Sequence, residues 1–182
     1  MQARTEEEKM LAGEYYEAND GRLAIQRKRA KRLCHTYNQE PVELQSDVLA
    51  ELFGVATDAY LEPPFHCDYG HHIQLGARVY ANHNLVILDC ARVILGDDVA
   101  IGPNVVLTTA AHPLDAAERA AGLEFARPIR IGNNVWIGAS VSVLPGVEIG
   151  ENSVIGASSV VSRSIPPNCV AVGNPCRVMR RL

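Results

Sequence analysis

The sequence predicts a mainly β chain: a parallel β-helix built from hexapeptides and preceded by a helical cap. Three observations carry this. From Ile131 the chain counts in sixes, with Ile131, Ile137, Val143, Ile149, Ile155 and Val161 at strict spacing. The same period runs upstream, through Leu75, Ala81 and Ile87 and again through Leu95, Ile101 and Leu107. Residues 1–60 lack it and carry helix start signals instead.

The repeat units are IGNNVW, IGASVS, VLPGVE, IGENSV, IGASSV and VSRSIP. Six matches in register specify a hexapeptide β-helix, in which three hexads form one coil of a triangular prism. The aliphatic at position one points inward. Ile131 should therefore stack on Ile149, Ile137 on Ile155 and Val143 on Val161, about 4.8 Å apart. Position five takes small or β-branched residues: Val135, Val141, Val147, Ser153, Ser159 and Ile165. Glycines at position two (Gly132, Gly138, Gly150, Gly156) suit tight corners or a positive φ. One hexad cannot bury its own apolar face, so stability comes from stacking.

Upstream the register slips near Asp89–Val93, which reads as a two-residue insertion at a corner. Between Leu107 and Ile131 the period disappears. A long non-repeat loop on a regular scaffold, here at about 108–130, is where function tends to sit.

The cap occupies residues 1–60 and the β-helix residues 61–182. Thr5 starts a short helix over Glu6–Tyr16, and Asp20 caps a second over Gly21–Tyr37. A third spans Asp47–Phe53. These helices would cover the open end of the first coil, which otherwise exposes strand edges. The run RKRAKR (Arg27–Arg32) reads as a solvated helix face.

The chain has 182 residues, one domain's worth. A net charge of −4 and a pI near 5.9 argue against nucleic-acid binding. No apolar run reaches membrane-spanning length and the acidic start does not resemble a signal peptide, so a cytoplasmic location is expected. Five cysteines without a CxxC pair read as reduced and structural.

His112, in AAHPLD at the mouth of the loop, is the candidate for chemistry. An imidazole there can act as a general base near neutral pH. Pro113 would help to hold the ring. His66 and His71 have an H-x4-H spacing, but a zinc site would need His83 or His112 as third ligand, and nothing fixes that geometry; no metal is expected. Trp136 sits at position six of its hexad, where it can form a pocket wall or an interface. Asn82, Asn84, Asp68 and Asp89 can each bind a polyol or simply make a turn. Arg177, Arg180 and Arg181 form a basic C-terminal tail that could meet phosphates.

Together EKMLAGEYY, EPPFHCDYGHHIQLG, YANHN, AAHPLD, GNNVWIG and VGNPCRVMRRL resemble the hexapeptide sugar O-acetyltransferases, the maltose and galactoside enzymes, with the maltose branch closer. The resemblance covers almost the whole chain. It implies a left-handed β-helix, a homotrimer with active sites between subunits, and acetyl transfer from acetyl-CoA to a sugar hydroxyl. His112 matches the catalytic histidine. Asp68, Asn82 and Trp136 match acceptor-binding positions, with Asp20 or Glu17 as a further acidic contact. Coenzyme A contacts carry over to Ala139, Ala157, Ser162, Arg163, Arg177 and Arg180, with the Ala139 N–H as oxyanion donor. Cys90 replaces an acceptor-site aspartate, Glu124 an apolar loop residue, and Asp68 a serine of the galactoside enzymes, so galactoside preference does not carry over. The competing readings are an acetyltransferase for another hydroxyl (antibiotic, serine or oligosaccharide), a zinc hydratase, and a non-catalytic β-helix module.

Overall fold

The structure, a computed structural model, describes residues 4–182. Residues 1–3 of the expected cap lie outside the described residues. Helix α1 (Glu6–Leu11) starts with a capping box: the Thr5 hydroxyl accepts from the Glu8 N–H, and the Glu8 carboxylate accepts from the Thr5 N–H. It ends sooner than the apolar pattern suggests. Gly13, at φ 74°, turns the chain, and Tyr16–Glu17 leave as strand β1. Helix α2 (Gly21–Gln39) is capped by Asp20, whose Oδ1 accepts from the N–H groups of Arg22 and Leu23. Helix α3 (Val42–Phe53) starts earlier than expected, directly after Pro41, and stops at Gly54 in the left-handed region.

The coils follow. The first, partial one holds β2 (Tyr60–Leu61) and β3 (Phe65–Cys67). The next holds β4 (Ile73–Leu75), β5 (Tyr80–Ala81) and β6 (Leu85–Leu88), and the one after it β7 (Val93–Leu95), β8 (Ala100–Ile101) and β9 (Val106–Thr108). The loop then contributes β10 (Ala110–Ala111), α4 (Ala116–Ala120) and β11 (Leu123–Ala126). Coiling resumes with β12 (Ile129–Ile131), β13 (Trp136–Ile137) and β14 (Ser142–Val143), then β15 (Glu148–Ile149), β16 (Val154–Ile155) and β17 (Val160–Val161). Finally β18 (Cys169–Val172) completes a coil and β19 (Arg177–Arg181) folds back on it.

These strands form three parallel faces of a β-solenoid of about six turns. The first face is β15-β12-β7-β4, the second β18-β16-β13-β8-β5-β2, and the third β17-β14-β9-β6-β3. Ile131 pairs with Ile149, Ile137 with Ile155 and Val143 with Val161, as the period requires. The position-five residues are all buried, from Ser153 and Ser159 at 0% exposure to Ile165 at 5%. Coils before the loop take 20 residues, which confirms the two-residue insertion, the coil after it takes 18 and the last takes 16. The coil carrying the loop spans 36, twice the later repeat, so the stack resumes in register.

The glycines at position two are selected by proximity and not by φ. A Cβ on Gly138 would lie 2.7 Å from the Ala157 backbone nitrogen in the next coil. Positive φ falls instead at position four, on Asn134, Ser140, Asn152 and Ser158 (55–60°). Their short polar side chains tolerate that region, and the asparagines bond to one another up the edge, Asn134 to Asn152 to Asn168 at 3.0 Å each.

Both ends of the prism are closed. The Asn38 amide bonds both the N–H and the C=O of Phe65, at 2.8 and 3.0 Å, and the Tyr37 hydroxyl donates to the Leu61 carbonyl. These contacts satisfy backbone groups that an edge strand would expose. At the other end the basic C-terminus is no loose tail: β19 pairs antiparallel with β18. Arg27 departs from the solvated RKRAKR face. It donates to the Tyr69 hydroxyl and the Ala18 carbonyl, at 2.7 and 2.6 Å.

Ile137, fully buried between Ile101 and Ile155, tests the stacking. Ile137→Ala should lower stability by about 2–5 kcal/mol in urea denaturation. An unchanged midpoint would contradict the described core.

Candidate active site

The broken coil builds one half of the site. After β9 the chain reverses through β10 and β11, an antiparallel pair with Ala111 opposite Phe125. His112 follows β10 directly and is exposed. β1, far upstream in the cap, joins this hairpin by pairing Tyr16 with Glu124 and Glu17 with Leu123. The buried Tyr16 hydroxyl donates to Glu124 Oε2 at 2.7 Å, and Glu124 Oε1 lies 3.9 Å from His112 Nδ1. A carboxylate held by one partner thus faces the Nδ1 side of the His112 ring.

Asp68 and Cys90 lie beside this group. The Cys90 thiol is 3.7 Å from Asp68 Oδ2. Burial, and secondarily the Asp68 charge, push the Cys90 thiol up to about 12, so it stays protonated and unreactive at neutral pH. Burial also raises the Asp68 carboxyl above its usual range, with Asp89 adding to the effect. Asp89 is no polyol ligand. It is fully buried, and its carboxylate accepts the backbone N–H groups of Asp68, Tyr69 and Gly70 at 3.0, 2.9 and 2.7 Å. It shapes the corner that presents Asp68.

The sequence-derived residues sort onto two edges of the prism. Asp68, His112, Ser162 and Arg163 lie at the edge between the third and first faces. Asn82, Ala139 and Ala157 lie at the edge between the second and third faces, each one or two residues past a second-face strand. Trp136 projects from the second face, 58% exposed, and Arg177 and Arg180 lie on β19 at the end of that sheet. The third face separates the two groups within one chain. Along the axis there is a second division. Asp68 and Asn82 belong to the coils near the cap, while Ala139, Ala157, Ser162 and Arg163 belong to the coils after the loop. His112 hangs between them.

Ala139 and Ala157 have free backbone donors. At two corners nearer the cap the equivalent N–H is taken by a side chain of the neighbouring coil, Ala77 by Asp97 and Asp97 by Asn133. The N–H groups of Ala139 and Ala157 have no acceptor among the described residues. Asp20 is occupied in capping α2, whereas Glu17 is exposed on β1 next to the loop. His66, His83 and His112 do not gather with His71, so the zinc set considered from spacing does not form. His72 is buried and held neutral, its pKa pushed down to about 4 by desolvation.

The family model described as "Bacterial transferase hexapeptide (six repeats)" matches residues 128–163, and that described as "Maltose acetyltransferase hexapeptide capping motif" matches residues 9–56. The galactoside O-acetyltransferase of Escherichia coli is 44% identical over 96% of this chain and 88% of its own length. A maltose O-acetyltransferase from Clostridium difficile superposes with a TM-score of 0.96 at 45% identity, covering 100% of this chain and 99% of that one. The chain belongs to the hexapeptide-repeat sugar O-acetyltransferases. Like them it is an acyltransferase, and its fold is their left-handed parallel β-helix. A galactoside acetyltransferase solved with coenzyme A superposes with a TM-score of 0.94 at 43% identity, over 98% of this chain and 92% of that one.

Within this acetyltransferase, sequence reasoning noted Glu124 only as a departure and missed Tyr16. A charged residue inside an otherwise apolar loop strand was the available signal for Glu124. Tyr16 had none, because the β1–β11 contact spans 108 residues of chain. If Cys90 is a wall residue and no nucleophile, iodoacetamide at pH 8 should leave it unmodified in the native protein, and Cys90→Ala should retain turnover. Mass-spectrometric detection of alkylated Cys90, or an inactive alanine variant, would contradict this.

Proposed function

We propose that this protein transfers the acetyl group of acetyl-CoA to a hydroxyl of a sugar such as maltose or glucose, with His112 as general base. The observation that carries the reading is the placement of His112. It sits on the looped-out coil, backed by the Tyr16–Glu124 pair, between corners suited to an acceptor and corners suited to a thioester carrier. The coenzyme A bound in the similar galactoside enzyme supports the choice of donor.

In this mechanism His112 takes the proton from the acceptor hydroxyl as the oxygen attacks the thioester carbonyl. The carbonyl oxygen gains charge, and the unbonded N–H of Ala139 would receive it. The tetrahedral intermediate collapses by expelling the thiolate, which takes the proton from the imidazolium. Glu124 stabilises that imidazolium from the Nδ1 side. No covalent enzyme intermediate arises, which fits a Cys90 thiol held protonated. Asp68, Asn82 and Trp136 would bind the acceptor, with Asp20 or Glu17 at the periphery; Ala157, Ser162, Arg163, Arg177 and Arg180 would bind the carrier.

The separation of the two edges supports a homotrimer. A second copy, packed edge to edge about a three-fold axis, would set the Asn82–Trp136–Ala139 edge of one chain against the Asp68–His112 edge of the next. Five free, buried cysteines fit the reducing cytoplasm. No helix among the described residues is long and apolar enough to cross a membrane.

A thiol-release assay with acetyl-CoA against maltose, glucose, a thiogalactoside, serine and chloramphenicol tests the proposal. Turnover should be highest with the glucosides. His112→Ala should lower kcat by roughly 10²–10⁴-fold with the assembly intact. Glu124→Gln should lower it by about tenfold or less, because the His112 side of the pair is exposed and partly screened. Undiminished turnover in His112→Ala would refute the general base, and activity confined to serine or chloramphenicol would refute the acceptor class.

A further inference from the structure

Away from the acyl-transfer residues, three side chains converge where the cap meets the first full coil. Glu7 on α1 and the adjacent His71 and His72 each offer one ligating atom, and these atoms lie within 4.8 Å of one another. The turn after Gly70, at φ 81°, brings two consecutive imidazoles together with centroids 4.2 Å apart.

The hydrogen bonding around the three defines which atoms are free. His72 Nδ1 is 2.7 Å from the Asp89 carbonyl and His71 Nδ1 is 3.2 Å from the Tyr69 carbonyl. A carbonyl can only accept, so each ring carries its proton on Nδ1 and leaves a lone pair on Nε2. His72 is only 6% exposed, yet its Nε2 has no partner among the described residues. His71 Nε2 is 3.8 Å from Glu7 Oε1. The other carboxylate oxygen, Oε2, accepts from Gln26 Nε2 at 3.1 Å. Each potential ligand is therefore oriented by an outer partner and keeps one unshared pair. That pattern is how metal ligands are usually held, and the buried His72 Nε2 is a lone pair that calls for a partner.

We propose that Glu7, His71 and His72 form a binding site for a divalent first-row transition ion, with zinc as the best fit. Two imidazoles and one carboxylate suit zinc and leave a position for water. Donors about 2.0–2.1 Å from a tetrahedral ion lie roughly 3.3 Å apart, so the 3.8 Å gap between His71 and Glu7 closes by a small side-chain shift. The ion would act as a clasp. It would fasten α1 to a corner whose carbonyl comes from Asp89, the residue that shapes the Asp68 turn. The same short helix leads into β1, which carries Tyr16 to Glu124. No step of acyl transfer passes through the metal, so this site is independent of the proposed reaction.

The test uses the full-length, tag-free protein, stripped with a chelator and titrated with zinc by calorimetry, with metal analysis of the dialysed product. One zinc per chain and a rise in Tm on zinc addition are expected. Substituting cobalt should give a visible absorption band. Glu7→Gln and His71→Ala, both at accessible positions, should weaken zinc binding by more than ~10-fold and abolish the cobalt band, while the circular dichroism stays unchanged. Gln26→Leu, which removes only the outer partner of Glu7, should weaken binding by ~10–100-fold. A folded wild-type protein that retains no zinc at micromolar free metal would overturn the proposal. So would zinc binding of equal strength in Glu7→Gln or His71→Ala, which would show an adventitious ion elsewhere. These readouts do not depend on turnover, so failure here leaves the acetyltransferase reading untouched.

Discussion

Backbone lying directly over backbone, coil upon coil, is the constraint from which the other features of this protein follow. Strands a single hydrogen bond apart leave no room for a side chain at the point where one corner sits above the next. That is why Gly138 faces the Ala157 nitrogen and Gly132 the Glu151 nitrogen, with a hypothetical Cβ only 2.7 and 2.6 Å away. The corner must then bend sharply within four residues, and position four takes the left-handed conformation, mostly on asparagine, aspartate or serine, with Arg78 and Gly146 as the other cases. Inside, each aliphatic finds the same kind of residue above and below, and burial of one such side chain contributes roughly 1.5–3 kcal/mol. No hexad is stable alone, so the ends need closure by Asn38 and Tyr37 at one side and β19 at the other.

A scaffold this repetitive can accept an insertion only if the stack resumes in register. The coil that carries the loop spans 36 residues where the next spans 18, and Val93 still pairs with Ile129. Rigid coils above and below thereby fix both ends of a segment that is free of the repeat. His112 occupies its first turn, and β1 from the cap clamps its far side through Tyr16 and Glu124. The same corners that make the stack also leave unbonded backbone donors, the amides of Ala139 and Ala157 among them.

Much of this was legible in the sequence, for a physical reason. Stacking repeats every coil, so Ile131 over Ile149 and the insertion near Asp89–Val93 are written into the spacing. Contacts that do not repeat were not legible. The Tyr16–Glu124 pairing joins two irregular segments, and no local pattern marks it. Asp89 read as a possible polyol ligand because a buried carboxylate serving three backbone amides has the same letter as a pocket residue. The H-x4-H spacing of His66 and His71 drew attention to the wrong pair. At a coil corner adjacent residues can share a side, and His71 meets His72 and Glu7 instead. The first helix ran short because Gly13 turned the chain at φ 74°, where the apolar pattern alone would have continued it.

The central claim is that two edges of the prism, separated by the third face in one chain, become one catalytic site only between subunits. Mixing tests it most directly. His112→Ala disables one edge and Asn82→Ala the other, so each homotrimer should be inactive. Unfolded together and refolded at equal ratio, they should regain up to about one quarter of wild-type thiol release, since about one interface in four would combine two intact edges. No recovery above the separately refolded variants, with mixed trimers demonstrated by native mass spectrometry, would contradict a shared site and return both edges to a single chain.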